Sequence, residues 1–496
     1  MDTPTLLTHL ETRTPPLALP RGGTLCWDDA DFHRAAYTDD PEGYALLGLA
    51  PGVGSWQRAR VLLQILAASQ AGLDDATRAT LAKTARVLTL ALPPAHVITV
   101  LLALRRLRAN HKHTTRAALR FVLEHPHADA LIAARRPALL DCFEHALGKA
   151  TARGCARRIA EGDTGSDYLQ RRLLRFLTAP RAALPRVGAL YQAAAAGLAA
   201  TRGIHGPHEP HGPHGAHDRY DPHQPPLAID AVRERPQTVT PTNRGDIAAT
   251  LVHLYRGGPA EDLYIDAVRE RPQTVTPTNR GDIAATLVHL YRGGPAEDLY
   301  VALGGQIGAV AATFPRFEGT LALVLDASAS MRGHGDREWA ILSQAAALRM
   351  VLSQVCARLE VVEVGGDERT PRGATDLAMG VLDALSTGPD LVAVVSDGYE
   401  NLFPGDLARV VATLPRAGIT TPVVFCHALF TGSDDLTLRR PAPALPQRGF
   451  WHQDDFAELL PWMFGHCEAG EPWLRDTLHA RLDLLDRRAT DLARAA

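Results

Sequence analysis

The chain has no apolar stretch long enough to span a bilayer, and Met1 is not followed by a basic region and an apolar core. We therefore expect a cytoplasmic protein with neither a secretory signal nor a membrane partner. The six cysteines show no paired short spacing, which indicates reduced, structural thiols and is typical of a reducing compartment. Aromatic residues make up only 6% of the sequence, so side chains that could stack on nucleic-acid bases are sparse.

Two patterns of phosphate chemistry are also missing. The segment 148–151, Gly-Lys-Ala-Thr, lacks the upstream glycine spacing of a phosphate-binding loop, and the glycine-containing segment 304–308 is too short to be identified as one. In haloacid-dehalogenase-type phosphatases a strand-end aspartate is followed two residues later by a second aspartate, whereas Ser328 occupies that place after Asp326. These absences favour a binding protein over an enzyme.

The sequence does contain enough apolar material for two or three ordinary domains, with 496 residues of which 46% are hydrophobic. We expect a multidomain protein with an all-α, helical-repeat-like N-terminal domain and a C-terminal α/β, doubly wound (Rossmann-like) domain. The expected divisions are an extended lead-in over residues 1–54, a basic all-helical domain over 55–200, a linker over 201–228, a helical tandem repeat over 229–300, the α/β domain over 301–470 and a C-terminal helix over 471–496.

One stretch of the α/β domain, Leu321–Met331, joins a strand pattern to candidate metal ligands. Five apolar residues without alternation run directly into Asp326, Ser328 and Ser330. Such a run is typical of a strand that is buried on both faces, and parallel sheets bind their ligands beyond the carboxyl ends of the strands. A carboxylate and two hydroxyls at alternate positions can converge there on one small cation such as Mg²⁺.

Two further candidate ligands follow later strands. Thr375 lies after the predicted strand Leu359–Val364, where a loop opens an apolar helix, and Asp397 follows the apolar strand Leu391–Val395. An alternative for the first three residues is a turn whose hydroxyls only cap the next helix. The other predicted elements of this domain are strands at Thr421–His427 and Gly449–Trp451 and helices at Asp336–Cys356, Asp406–Leu414, Asp455–Phe464 and Trp473–Ala495.

Taken together, Asp326, Ser328, Ser330, Thr375 and Asp397 resemble the metal-ion-dependent adhesion site of von Willebrand factor A domains, and the resemblance covers about residues 317–467. It implies that the three hydroxyls coordinate Mg²⁺ (or Mn²⁺ or Ca²⁺) directly, while the two aspartates act directly or through water. It also implies that the last metal position is left for a partner's carboxylate. Bacterial A-domain proteins of this kind pair with MoxR-like AAA+ ATPases, which suggests one class of partner.

Charge is distributed unevenly along the chain. Residues 51–200 contain 22 Lys and Arg against 9 Asp and Glu, which gives this segment a charge of +13. Because the net charge of the chain is −3, the remaining residues together carry −16. Two interpretations stay open: a solvated surface with Arg near helix C-termini, or a phosphate-binding surface for nucleic acid. The candidate nucleic-acid contacts are Arg105, Arg106, Arg108, Lys112, Arg116, Arg171, Arg172 and Arg175, and a further basic group is Arg153, Arg157 and Arg158.

The sequence between the two domains is of low complexity and then repeats itself. Residues 203–226 are rich in Gly, Pro and His, with histidine at every third position from His205 to His217. This pattern indicates a flexible linker or, alternatively, a ladder of imidazoles for a soft divalent metal. Ile229–Tyr264 is identical to Ile265–Tyr300. We expect the second copy to dock on the α/β domain, into which it leads directly, and the first to be a loosely packed insertion.

Two functions of different classes follow from these patterns. The first is a non-enzymatic, Mg²⁺-dependent adaptor that captures an acidic residue on a protein partner. The second is RNA binding, since a basic helical-repeat domain followed by an A domain is similar in layout to Ro ribonucleoproteins with their TROVE module. That similarity implies structured RNA as the partner, but it is one of layout only, because residues 55–200 contain no TROVE motif that can be quoted residue by residue.

Overall fold

The computed structural model describes residues 2–20, 25–109, 111–202, 282–294, 297–333, 338–430 and 439–495. The chain divides into two compact units. The sheet unit comprises Met1–Glu11, Leu49–Val53 and Ala231–Leu484, and the helical unit comprises Thr12–Gly48, Gly54–Asp230 and Leu485–Ala496. The predictions for the histidine-rich linker and for the first repeat copy lie outside the described residues.

The described chain up to Arg202 is mainly helical, as predicted. Asp74 and Ser166 cap two of its helices by accepting hydrogen bonds from Thr77 N (2.8 Å) and Leu169 N (3.4 Å), which satisfies backbone donors at the helix start. The helices are α1 (Thr3–Thr12), α2 (Ala30–Asp39), α3 (Pro41–Leu47), α4 (Ser55–Ala67), α5 (Asp75–Ala91), α6 (Pro94–Arg106), α7 (His111–Glu124), α8 (Ala128–Leu147), α9 (Lys149–Ala160), α10 (Asp167–Leu173) and α11 (Pro180–Arg202).

The helical unit buries its apolar residues in a core shared by α6 to α11. Leu119 of α7, Phe143 of α8 and Val187 of α11 are fully buried in it. These residues come from segments in which apolar residues recur every three or four positions, so this helical spacing correctly identified the buried faces. The prediction of a helical N-terminal region is confirmed, although an isolated antiparallel bridge joins Ala18 to Cys26.

The prediction of an extended lead-in is wrong for half of residues 1–54, because α1, α2 and α3 lie there. Pro41 is the first residue of α3, where its missing N–H has no intrahelical partner to lose. Asp40 caps the same helix by accepting a hydrogen bond from Gly43 N at 3.0 Å. The proline and aspartate residues that suggested an extended chain therefore initiate a helix instead.

A buried polar network fixes the segment before α2. Arg60 of α4 is fully buried, and its guanidinium lies 2.9 Å from Asp29 and 3.1 Å from Asp28. The same side chain donates to the carbonyl oxygen of Pro15 at 2.8 Å, and Gln57 donates to Asp29 at 3.1 Å. Buried charges need such partners to offset the loss of hydration, so these contacts specify the path of the N-terminal segment.

The sheet unit is built on five parallel strands, as the apolar runs predicted. The strands are β1 (Phe317–Asp326), β2 (Cys356–Val364), β3 (Gly366–Asp367), β4 (Thr370–Pro371), β5 (Leu391–Ser396), β6 (Val423–Ala428) and β7 (Gln447–Phe450). The five strands of the sheet are ordered β2-β1-β5-β6-β7, and each neighbouring pair is parallel. A two-stranded antiparallel hairpin, β3 with β4, follows β2 and was not predicted.

Helices cover both faces of the sheet, which explains the apolar runs without alternation. The helices of this part of the chain are α12 (Ile283–Tyr291), α13 (Glu297–Ala311), α14 (Ala329–Arg332), α15 (Ala340–Val355), α16 (Leu377–Ser386), α17 (Asp406–Thr413), α18 (Phe456–Phe464) and α19 (Glu471–Ala495). Leu321, Leu323 and Leu325 of β1 pack with α12, α13 and α15 on one face, and Ala322 and Val324 pack with α16 and α17 on the other.

The described end of the second repeat copy lies in this core. α12 buries Ile283, Leu287 and Val288 in the same apolar cluster as β1 and α15. Asp282 caps the helix by accepting a hydrogen bond from Ala285 N at 2.9 Å. Residues 283–291 are therefore part of the sheet unit rather than of a separate repeat.

The cysteines and the helix lengths can be compared with the predictions of reduced thiols and of no membrane-spanning segment. All six cysteines are free thiols, and five of them are buried. Among the described residues no helix has both the length and the apolar character needed to cross a bilayer.

Candidate metal-binding site

The candidate site lies at the carboxyl edge of the sheet, between β1 and β5. From β1 the chain passes to β2 on one side and then to β5 on the other, so the strand order reverses between β1 and β5. Crevices at such reversal points are the usual ligand sites of open α/β sheets. Asp326 ends β1 and Ser396 ends β5, and Ser396 Oγ donates to Asp326 Oδ2 at 2.6 Å.

Asp326 is fully buried and is held in place from two sides. Besides the bond from Ser396, its Oδ1 accepts the backbone N–H of Ser328 at 2.9 Å. Burial raises the pKa of Asp326 from its ordinary value of 3.8 to about 6, against the opposing effect of these hydrogen bonds, and the charge of Asp397 raises it further. The two carboxylates therefore lie close enough to repel each other.

The two serine hydroxyls face each other beyond the strand end. Ser328 Oγ and Ser330 Oγ are 3.0 Å apart. Ser328 is the N-cap residue of α14, yet its side chain makes no capping hydrogen bond. The alternative interpretation, in which this hydroxyl only caps the helix, is therefore not what the structure shows.

Asp397 completes the β5 side of the site. It is almost fully buried, and its Oδ1 accepts the backbone N–H of Tyr399 at 3.1 Å. Burial raises the pKa of Asp397, while hydrogen bonds from Tyr399 N–H and the Ser330 hydroxyl lower it. Ser330 thus links the β1 loop to the β5 loop.

Thr375 approaches from the third loop. The residue is fully buried, and its Oγ1 has no hydrogen-bond partner among the described residues. Its loop is tied to the other two, because Gly373 O accepts from Ala329 N and Thr375 O accepts from Leu402 N, both at 3.4 Å. An unsatisfied buried hydroxyl costs roughly 1–3 kcal/mol, so this oxygen is available to a ligand that reaches it.

The donor set can therefore be judged as a whole. Three hydroxyl oxygens and two buried carboxylates come from three loops that are connected by hydrogen bonds. Hard divalent cations such as Mg²⁺ prefer this kind of oxygen donor, and a cation would relieve both the carboxylate repulsion and the unsatisfied Thr375 hydroxyl.

One supporting residue was outside the predicted set. Ser396 is buried and orients Asp326, and its own Oγ accepts the N–H of Gly398 at 3.1 Å. Its position immediately before the predicted ligand Asp397, at the end of an apolar strand, was the available signal. Gly365 supports the site differently: its φ is +77°, and a Cβ there would lie 2.8 Å from Ser328 Cα, so only glycine fits.

The predicted nucleic-acid contacts lie on separate elements of the helical unit. The first group surrounds the end of α6 and the start of α7, and the second lies on and just after α10. Arg105 is engaged in an ion pair with Asp141, and Arg172 stacks over the Tyr168 ring at 5.4 Å. The exposed members are Arg106, Arg108, Lys112, Arg171 and Arg175, whereas Arg105, Arg116 and Arg172 are half-buried.

The helical unit also contains a solvent-open cavity beside the end of α6. Its volume is about 910 Å³, which lies in the usual range for ligand pockets. Trp27, Tyr37, Gln64 and the two cations Arg34 and Arg106 contribute to its lining. The indole N–H of Trp27 and the hydroxyl of Tyr37 are buried without hydrogen-bond partners among the described residues.

No protein-family model matches the chain, and no curated protein matches it. One solved structure, described as "Crystal structure of Deinococcus radiodurans RO (RSR) protein", is similar over 96% of this chain and 100% of its own, at 12% identity and a TM-score of 0.36.

Proposed function

We propose that this protein is a non-enzymatic binding protein that holds Mg²⁺ between β1 and β5 and captures a carboxylate of a partner protein there. The observation that carries the proposal is the buried Thr375 hydroxyl, which has no partner among the described residues and lies on a loop hydrogen-bonded to the Ser328 loop. Mn²⁺ and Ca²⁺ share the preference for oxygen donors and are the alternative cations.

The proposed roles follow from the contacts of each side chain. Ser328, Ser330 and Thr375 would hold the cation through neutral hydroxyl oxygens. Asp326 and Asp397 would supply negative charge directly or through water, while their bonds to Ser396 and Tyr399 N–H keep them oriented. Bound there, a divalent cation supplies positive charge and an open coordination position that a carboxylate can fill.

The class of partner is inferred from resemblance. In the sequence, the five side chains at their strand ends and loops resemble the metal-ion-dependent adhesion site of von Willebrand factor A domains. Bacterial proteins with such a domain pair with MoxR-like AAA+ ATPases, and we propose an acidic side chain of a protein of this class as the captured group.

Metal binding can be tested with Mn²⁺ as the probe, because electron paramagnetic resonance distinguishes free from protein-bound Mn²⁺. The wild-type chain is expected to bind one Mn²⁺ that Mg²⁺ displaces, and Thr375→Val is expected to weaken binding about tenfold. Thr387→Val is the matched control, since Thr387 is exposed at the other end of α16. Equal Mn²⁺ binding by the two variants, or no binding by the wild type, would rule the proposal out.

RNA binding by the helical unit is the second candidate function, and the cavity beside α6 favours it. Trp27 and Tyr37 lie there with Arg34 and Arg106, which partly offsets the scarcity of aromatic residues in the whole chain. Aromatic side chains next to guanidinium groups suit an unpaired nucleotide, which offers a ring to stack and a phosphate to neutralise.

The matching test is a filter-binding titration with structured RNA that carries a single-stranded end. Arg106→Glu is expected to weaken binding and to lower the salt slope by about one, as for the loss of one phosphate contact. Lys149→Glu, an exposed charge reversal at the start of α9, is the control. If both variants bind RNA as the wild type does, this candidate fails.

A further inference from the structure

Large apolar side chains are exposed around the candidate metal site. Met379 is 54% exposed, Tyr399 48%, Leu402 47% and Phe403 51%. These four residues are called the apolar rim. Single exposed apolar side chains are ordinary on protein surfaces, but a group of large ones in one place marks an interaction site.

Each part of the apolar rim is connected to a proposed ligand. Tyr399 follows Asp397 by two residues, and its backbone N–H bonds the Asp397 carboxylate. The backbone N–H of Leu402 donates to Thr375 O at 3.4 Å, and Phe403 is the next residue. Met379 lies in the first turn of α16, four residues after Thr375. The rim therefore borders the site from both the β5 loop and α16.

The loop that presents the rim is held in a defined conformation. The Glu400 carboxylate accepts the backbone N–H groups of Gly405 at 2.6 Å and Leu407 at 2.7 Å. These bonds close the loop onto the start of α17, with Leu402 and Phe403 between the bonded residues. Because the loop is pinned at both ends, the exposure of these side chains is built into the fold.

A positively charged side chain, Arg439, lies beside the apolar rim. Its guanidinium lies 5.5 Å from the ring centre of Tyr399, which follows the candidate ligand Asp397 by two residues. A cation between Asp326 and Asp397 would add to this positive potential. The surface thus combines an attraction for negative charge with apolar contact area a few residues away.

We propose that the partner is a protein segment in which an acidic residue lies within two positions of a large apolar residue such as Leu, Phe or Met. Its carboxylate would reach the candidate metal site, and its apolar side chain would pack on Leu402, Phe403 and Met379. This inference rests on the proposed function. A protein segment fits better than a lipid surface, because the rim is confined to one closed loop and one helix turn beside the carboxylates.

The segment can be identified by selection from a library of random twelve-residue peptides displayed on phage. The full chain is immobilised in Mg²⁺, and bound phage are eluted with EDTA. We expect eluted peptides to be enriched in Asp or Glu within two positions of Leu, Phe or Met. A selected peptide is then expected to bind the Leu402→Ser, Phe403→Ser double variant at least tenfold more weakly than the wild type.

Two controls separate failure of this inference from failure of the proposed function. Val301→Ser replaces an apolar side chain of α13 that is 80% exposed, and it should bind the peptide as the wild type does. The double variant should still be stabilised by Mg²⁺ against thermal unfolding. If Mg²⁺ stabilises the chain but EDTA elutes no peptides, or only acidic peptides without apolar neighbours, the inference is overturned while metal binding stands.

Two other results would also be decisive. If Mg²⁺ stabilises neither the wild type nor the variant, and the amount of captured peptide is the same with and without EDTA, the proposed function itself fails. If anionic phosphatidylserine vesicles bind the wild-type chain in Mg²⁺ and release when Leu402 and Phe403 are changed, the rim recognises a lipid surface and the protein-segment proposal is wrong.

Discussion

Replacing Asp326 by Asn should stabilise the metal-free protein while removing its response to Mg²⁺. Asp326 is fully buried, its carboxylate faces the charge of Asp397, and burial raises its pKa to about 6. Asparagine is nearly isosteric. Its carbonyl can accept the N–H of Ser328, and its amide can donate to Ser396 once that hydroxyl rotates.

The magnitude follows from the shift in pKa between the unfolded and folded chain. A rise from 3.8 to about 6 corresponds to about 3 kcal/mol, at roughly 1.4 kcal/mol for each factor of ten. Because the folded value is raised, this stability is fully present below pH 3.8 and is lost as the pH rises through about 6. At pH 8, without metal, the wild type therefore carries the full cost, and Asp326→Asn should be more stable by about 2–3 kcal/mol.

The assay is urea unfolding followed by tryptophan fluorescence, which reports mainly on the sheet unit because Trp339, Trp451, Trp462 and Trp473 lie there. In EDTA the advantage of the variant should be present at pH 8 and nearly absent at pH 4. At a Mg²⁺ concentration of one hundred times the dissociation constant the wild type should gain about 2.7 kcal/mol, and the variant should gain nothing.

The control is Asp383→Asn, which neutralises an exposed carboxylate of α16 and should change neither curve. The reasoning is refuted if Asp326→Asn is less stable than the wild type at pH 8 in EDTA. It is equally refuted if the variant keeps the full stabilisation by Mg²⁺.

Three further changes have expected outcomes that unfolding measurements can check. Thr375→Val should leave metal-free stability unchanged or raise it by up to about 1 kcal/mol, because it removes an unsatisfied buried hydroxyl; a clear loss would mean that the hydroxyl has a partner. Glu11→Gln should stabilise the chain by about 3 kcal/mol at pH 8 and little at pH 4, since burial raises the pKa of Glu11 from 4.5 to about 7; an equal effect at both values would contradict this. Arg60→Lys should destabilise the helical unit by about 2–4 kcal/mol, because lysine cannot span Asp29 and Pro15 O together; near-neutral behaviour would show that the buried network is dispensable.

The sheet was predictable because its determinants are local. β1, β5 and β6 are covered by helices on both faces, so burial leaves a run of apolar residues that no other element of that length explains. Four of the five proposed ligands end β1 or follow β1 and β5 within a few residues, so the sequence predicted them at one edge, whereas Thr375 comes from the loop that follows the β3–β4 hairpin. The short hairpin of β3 and β4 carries no apolar pattern, with two residues in each strand, and could not be found in this way.

The N-terminal helices were missed because their determinants are distant in sequence. His33 of α2 is fully buried and lies 2.7 Å from Tyr44 Oη and 2.9 Å from Gln57 Oε1. Arg60 reaches back to Asp28 and Pro15 across more than thirty residues. Hydrophobic periodicity depends only on apolar residues that are close in sequence. A segment that is held by buried polar contacts is therefore predicted as irregular chain.

The same residues that make the site a candidate for binding also make it costly to the free protein. Asp326 and Asp397 are buried near each other, Thr375 Oγ1 has no partner among the described residues, and Leu402 and Phe403 face solvent on a closed loop. The buried carboxylates and the unsatisfied hydroxyl oppose folding of the isolated chain, and a bound cation would offset both of these costs. The exposed apolar side chains do not oppose folding, but they would gain stability by packing on a partner segment. Stability and function therefore conflict at this edge: single changes that relieve one cost should stabilise the free chain and weaken binding. A single change that stabilised the free chain and also strengthened binding would show that the contacts that destabilise the free chain are not the contacts that bind the partner.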